Sequence, residues 1–313
     1  MGRSAKTLEH NTFNRHRIRQ SKGDIVFHIV NYTLFTLFTF ICVLPFYYLF
    51  INTISDNELV KTGSIILIPK GLHLENYISV LQTRGLGRAA LVSIGRTVIG
   101  TAFTVTASAL VGYLVTKREM WGRKFWYRAI VITMYFNAGL IPWYMNMVML
   151  GLNNNFWAYI IPGIVAPYNI ILVKTYIESI PSALEESASL DGAGYFTIFT
   201  RIIWPLCTPI LATIAIFCAI GHWNAFTDTL MLMTDEKNFT LQYVLYRYLN
   251  QTNNLQSAMQ SGGNLSGLDL TQSLSPRAVK MTISMVVVFP ILFVYPFLQR
   301  FFVKGIMIGA VKG

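Results

Sequence analysis

The chain has 313 residues, 53% of them hydrophobic and 12% charged, with a formal net charge of +11. A soluble domain of this length carries roughly twice that charged fraction, so an ordinary water-soluble globule is excluded. The positive excess would suit nucleic acid or a membrane face, and no basic helix or aromatic–basic module supports nucleic acid as a partner.

The missing charge is concentrated. Residues 25–55, 97–116, 129–173, 202–227 and 281–299 contain no Asp, Glu, Lys or Arg. Crossing a hydrocarbon core of ~30 Å takes about 20 apolar helical residues. Four of these windows predict one span each. The window 129–173 is long enough for two, broken at Gly151-Leu152-Asn153-Asn154-Asn155. The expectation is an all-α membrane protein with six transmembrane helices.

In chain order, residues 1–24 form a basic segment with Arg3, Lys6, Arg15, Arg17, Arg19 and Lys22, which predicts a cytoplasmic N-terminus. The apolar run after it exceeds the ~7–15 residues of a signal-peptide core and no small-x-small site follows, so a permanent anchor is expected. Span one covers about 27–51, with Pro45 as a kink, and an outer segment, 52–87, turns at Pro69-Lys70-Gly71. Span two covers about 90–116 and carries Gly100, Ala102, Ala107, Ser108, Ala109 and Gly112. Such small residues let helices approach closely in lipid, where packing replaces the hydrophobic drive. The basic loop Lys117-Arg118-Glu119 to Arg123-Lys124 is expected inside.

Spans three and four are expected at 126–149 and 156–175, span five at 206–230, and span six at 281–301 with Pro290 and Pro296. Between the last two lies a polar stretch, 231–279, read as an outer loop. Arg300, Lys304 and Lys312 place the C-terminus inside as well. The division is therefore a cytoplasmic segment 1–24, one membrane domain 25–304, and a cytoplasmic tail 305–313. Cys42, Cys207 and Cys218 fall in apolar spans without metal-ligand spacing. Neither a metal site nor a catalytic residue is expected.

The most informative stretch is the inside loop 178–204. Ser182, followed three residues later by Glu185, spells a capping box behind Pro181. Gly192 or Gly194 suits a left-handed stop. Ser187 and Ala188 keep the middle of this short helix small, so another protein surface could come close. Tyr195, Phe196, Ile198, Phe199, Ile202 and Ile203 then form an amphipathic stretch before Pro205 opens span five. A helix–turn–helix elbow parallel to the membrane is a docking element rather than a span.

This loop resembles the EAA loop of bacterial ABC importer permeases: Glu-Ala-Ala, three residues, Gly, nine residues, Ile-x-Leu-Pro. Here it reads Glu186-Ser187-Ala188, then Gly192, then Ile202-Ile203-Trp204-Pro205, with Ser187 and Trp204 as departures. Glu185-Glu186 with Asp191-Gly192-Ala193 is similar to carbohydrate permeases of the maltose type. The runs Arg96–Thr101, Gly139-Leu140-Ile141-Pro142, Gly221–Asn224 and Gly305–Gly313 resemble the LplC-type subgroup, associated with complex or uronic oligosaccharides.

The resemblance implies a type I importer permease fold, both termini inside, in the bacterial cytoplasmic membrane. It implies ATPase coupling through Glu185, Glu186, Ser187, Ala188, Asp191, Gly192 and Ala193, with Glu186 meeting basic or polar groups of the ATPase. The implied partners are a second homologous permease, two cytoplasmic ATPase subunits and an extracytoplasmic solute-binding protein. The chain has no Gly-x-x-x-x-Gly-Lys-Ser/Thr loop. ATP and Mg²⁺ are thus expected on the ATPase subunits, and this chain is expected to be a transport subunit rather than an enzyme.

Candidates for the substrate path are fewer in kind. His222-Trp223-Asn224 within span five offers either a sugar-facing patch, with an aromatic face for the ring and an amide for hydroxyls, or a helix-packing cluster. Tyr135 and Asn137 could line the same cavity, as could Trp143 and Tyr144; interfacial aromatic belts are the competing account. Arg96, two turns inside span two, either marks a cavity or pairing site or snorkels to the outer surface. A polytopic glycosyl or acyl transferase would need buried acids or a His/Asp pair. The one candidate pair, His222 and Asp228, falls on different faces of a continuous helix. Non-sugar cargo is the second alternative; a polyamine would call for an acidic cavity, which spans nearly free of acids do not offer.

Overall fold

The structure is a computed structural model describing residues 21–83, 85–260 and 276–306. Most of the basic N-terminal segment, residues 261–275 of the polar stretch and the tail from 307 lie outside the described residues. The described residues are mostly helical, with no strand among them. By compactness they divide into two units, 1–48 and 49–313. The first holds most of α1 (Lys22–Thr53), whose side chains up to residue 46 are almost all exposed.

The second unit begins with the short helices α2 (Asn57–Thr62) and α3 (Glu75–Leu81). Asp56 caps α2 by accepting from the N–H groups of Glu58 and Leu59. Then comes α4 (Leu86–Leu114), 29 residues without a proline. It is followed by α5 (Arg123–Tyr135), α6 (Leu140–Met149), two 3₁₀ turns (Phe156–Tyr159 and Ile161–Gly163) and α7 (Pro167–Glu178).

The elbow comprises α8 (Ala183–Leu190), α9 (Tyr195–Ile198), a π-helical turn (Phe199–Ile203) and α10 (Trp204–Leu206). After it come α11 (Thr208–Asn224), α12 (Thr227–Leu232), a 3₁₀ turn (Glu236–Asn238), α13 (Leu241–Gln260) and α14 (Pro276–Ile306).

Among the described residues, α1 and α4 are long and apolar enough to cross a membrane. The number rises to four if two bent pairs each count as one span. One pair is the 3₁₀ segment 156–163 with α7, bent by 46°; the other is 195–206 with α11, bent by 78°. The sequence-predicted spans are less continuous than expected, for local reasons. Span three breaks between α5 and α6, where Gly139 has φ 88° and its N–H donates to Asn137 Oδ1 at 2.9 Å. Span four starts as 3₁₀ turns because Pro162 and Pro167 interrupt the α ladder. Span five stops at Asn224, Ala225 being extended, and restarts as α12. The break expected at 151–155 is present: Gly151 and Asn154 both have positive φ. The polar stretch 231–279 is not simply a loop, since it contains the 20-residue α13.

Close approach to α4 organises the second unit. At Gly112 a β-carbon would lie 3.0 Å from Val173 Cγ1 and 3.3 Å from the Ile170 carbonyl, so α7 crosses here in near-backbone contact. At Gly100 a β-carbon would lie 2.6 Å from His222 Nε2, so α11 crosses one face further along. Where lipid is as apolar as leucine, such packing is what holds helices together. Around these crossings Val105, Ala109, Tyr113, Val173, Ile177, Phe199, Ile203, Leu211 and Ile214 form one buried cluster. It joins α4, α7, the elbow and α11.

Candidate functional site

The elbow is built from its own backbone outward. At the end of α8, the Gly192 N–H donates to the Ser189 carbonyl and the Ala193 N–H to the Ala188 carbonyl, both at 3.0 Å. Gly192 has φ 83°. This pair of bonds around a left-handed glycine is a Schellman stop, and of the two glycines expected for the role it is Gly192 that fills it. Gly194 has φ −74° and leads into α9 instead. The start of α8 differs from expectation. Ser182 sits at helical angles, φ −60° and ψ −27°, and makes no side-chain cap bond. Glu185 turns away from it to pair with Lys117.

That ion pair braces the elbow from the end of α4. The Lys117 ammonium lies 4.2 Å above the Tyr113 ring. The Tyr113 hydroxyl donates to the Tyr195 carbonyl at 3.4 Å, and its ring meets that of Phe199 at 5.3 Å. Phe199 in turn meets Trp204 edge-on at 5.8 Å. The carboxylate of Glu185, in the first turn of α8, is also favoured there by the helix dipole. Ala188 and Ala193 pack against the buried cluster. Glu186, Ser187, Asp191 and Gly192 face outward, as do Leu190 and Phe196, 89% and 74% exposed. The elbow is thus held rigidly on one side and presents acid and apolar groups on the other. Lys117 and Tyr113 have no place in the EAA pattern. The signal for them was the first basic residue after span two, facing an acidic loop.

A second constellation lies on α4 nearer its start. Arg96 is 3% exposed, so it does not snorkel. Its guanidinium forms a two-pronged ion pair with Asp228, donates from Nη1 to the Ala225 carbonyl at 3.1 Å, and stacks 4.6 Å over the Tyr159 ring. Asp228 also accepts from the Thr229 N–H at 2.9 Å. The break after Asn224 brings Asp228 here; on a continuous helix it would point elsewhere. His222 sits against Gly100 of the same helix.

The remaining candidates scatter. Trp223 is half-buried, and its indole N–H donates to the Val287 carbonyl of α14 at 3.1 Å, which is the packing role. Asn224 is exposed. Tyr135 is 76% exposed, and the Asn137 Oδ1 accepts locally from Gly139.

The described residues are thus mostly helical, with a braced, capped elbow between α7 and α11. Residues 105–308 match the family described as the binding-protein-dependent transport system inner membrane component, and the chain belongs to that family. It is the permease component of an ABC importer, a non-enzymatic transport subunit whose ATPase is a separate chain.

It is 33% identical over 288 residues to the polygalacturonan/rhamnogalacturonan transport system permease protein YtcP of Bacillus subtilis (strain 168), covering 92% of this chain and 99% of that one. It is 34% identical over 300 residues to protein LplC of the same organism, covering 95% and 99%. A crystal structure of a bacterial ABC transporter involved in the import of the acidic polysaccharide alginate matches with TM-score 0.80 at 31% identity, over 90% of this chain and 99% of that chain.

Proposed function

We propose that this permease imports oligosaccharides, acidic ones among them, into the cytoplasm by ATP-driven alternating access. The observation that carries the reading is the elbow. A docking helix ended at Gly192 and pinned by Lys117 and Tyr113 transmits force from a partner instead of yielding to it. For cargo, the supporting facts are the polygalacturonan and rhamnogalacturonan in the name of one relative and the acidic polysaccharide alginate whose import involves the structural neighbour.

In this reading the chain crosses the bacterial cytoplasmic membrane six times with both termini inside. It pairs with a second homologous permease, takes two ATPase subunits at the elbow side, and receives cargo from a solute-binding protein on the other side. ATP and Mg²⁺ reside on the ATPases. Glu185, Ser187, Ala188, Asp191, Gly192 and Ala193 shape the elbow, and Glu186 faces the ATPase. His222, Asn224, Tyr135 and Asn137 remain candidates for the path. Arg96 and Trp223 act in it by holding helices.

The test is reconstitution with the second permease and the ATPases. The complex should hydrolyse ATP faster when sugar-loaded binding protein is added, and the chain alone should not bind nucleotide at micromolar concentration. Gly192→Val and Glu186→Lys should each uncouple hydrolysis from uptake while leaving the chain in the membrane. Normal uptake by both variants would refute the elbow as the coupling element.

A further inference from the structure

We propose that a cavity at the end of α4 opposite the elbow takes one uronate ring of the cargo chain. This rests on the oligosaccharide reading and locates part of its acid preference. The cavity is about 150 Å³ and is lined by Thr83 and Leu86 at the start of α4, Glu236, Phe239, and Arg247 and Tyr248 of α13. Pockets for drug-sized ligands run to ~300–1,000 Å³, so the occupant here is a single ring.

Its lining has two chemistries. Half-buried Tyr248 offers aromatic surface for the C–H face of a pyranose, while Phe239, 8% exposed, forms the floor beneath Arg247. Arg247 lies 3.6 Å from Glu236, too far for a hydrogen bond, and its guanidinium sits 5.4 Å over the Phe239 ring. It is ion-paired with Glu236 only loosely and near solvent, a weak pairing that a cargo carboxylate, which matches the guanidinium fork, can displace. Glu236, 76% exposed along its side chain, can accept from ring hydroxyls. The nearby acid Asp235 is committed to Lys237, Nζ to Oδ2 being 2.6 Å. Arg96, by contrast, is 3% exposed and ion-paired through both terminal nitrogens with Asp228, so its charge is already matched.

Position agrees with chemistry. At 1.5 Å per residue, the 29 residues of α4 measure about 44 Å. The elbow brace at Lys117 and the cavity at Thr83 thus lie further apart than the ~30 Å hydrocarbon core. With ATPases at the elbow, the cavity opens on the side from which cargo arrives.

The test uses the assembled importer in lipid vesicles, with Cys42, Cys207 and Cys218 changed to Ser and Thr83→Cys as the only thiol. A membrane-impermeant maleimide reports access to the cavity. Trigalacturonate should slow labelling at least fivefold and galactotriose less than twofold, and Arg247→Gln should reduce the first effect to the second. No slowing, equal slowing by both sugars, slowing untouched by Arg247→Gln, or equal slowing by the sugar-free binding protein would overturn the site. Uptake by the same vesicles separates the two claims. If wild type takes up trigalacturonate but labelling is not slowed, only the site falls. If it takes up neither sugar, the oligosaccharide reading falls.

Discussion

Arg96 and Asp228 meet where both are removed from solvent, with side chains 4% and 15% exposed. Taking away one partner strands a buried charge, which costs about 3–5 kcal/mol, whereas replacing both by apolar groups is often close to neutral. Asp228→Asn should therefore lower the thermal midpoint of the detergent-solubilised chain sharply, and Arg96→Met/Asp228→Leu should lose less than either single change. A double variant at least as unstable as the sum of the singles would show the pair is not a closed unit.

Gly192 is a second residue whose part is readable from one angle. A β-carbon there meets nothing within 4 Å, so Gly192→Ala isolates the backbone cost of the left-handed conformation, about 1–2 kcal/mol. Coupling should weaken in Gly192→Ala and fail further in Gly192→Val; equal uptake by wild type and both variants would contradict this. Gly192 was legible in the sequence because a helix stop needs a left-handed residue and glycine supplies it. Ser182 misled because its serine is drawn into the helix and its would-be partner, Glu185, finds a lysine 68 positions away. Long-range charge pairing is invisible to a local motif.

At the scale of elements, the crossing of α4 and α7 tolerates no side chain. Gly112→Leu should push Val173 and the Ile170 carbonyl outward and cost about 1–3 kcal/mol of overpacking. Disulfide trapping between α4 and α7 should then slow; unaltered trapping would mean the helices are not in contact there. The small residues of span two announced this crossing, although not its partner. The elbow was legible as an element, and its brace was not. Lys117→Met and Glu185→Gln, singly and together, should show a coupling energy of about 0.5–3 kcal/mol in a double-mutant cycle.

The helix α13 was hidden by its polarity, since Asn and Gln crowd its second half. Its first half nonetheless places Leu241, Val244, Leu245, Tyr248 and Leu249 on one face, a helical period that could have been counted. The break in α11–α12 has no such signal: Ala225 and Phe226 are neither glycine nor proline. That break is what delivers Asp228 to Arg96.

For the molecule as a whole, sidedness is the testable matter. Single cysteines at Lys237, beside the cavity, and at Trp121, in the loop after α4, should differ. An impermeant reagent should reach position 237 in intact cells and position 121 only after permeabilisation. The reverse pattern would invert the topology, and with it both the elbow and the cavity assignments.

The fold class and family were written in the charge-free windows and in the spacing around Glu186. The number of uninterrupted spans was not, because hydropathy averages over kinks that proline, Gly139 and Ala225 introduce locally. In the second unit α4 runs through 29 residues without a proline. Treated as a stiff rod, α4 is pinned at Arg96, with about 27 Å of arm toward the elbow end at Leu114 and about 15 Å toward Leu86. For rotation about that pin, a push delivered at the elbow arrives at the far face reversed in direction and reduced to roughly half. In the alternating-access reading proposed above, one such lever turns closing on one side of the membrane into opening on the other.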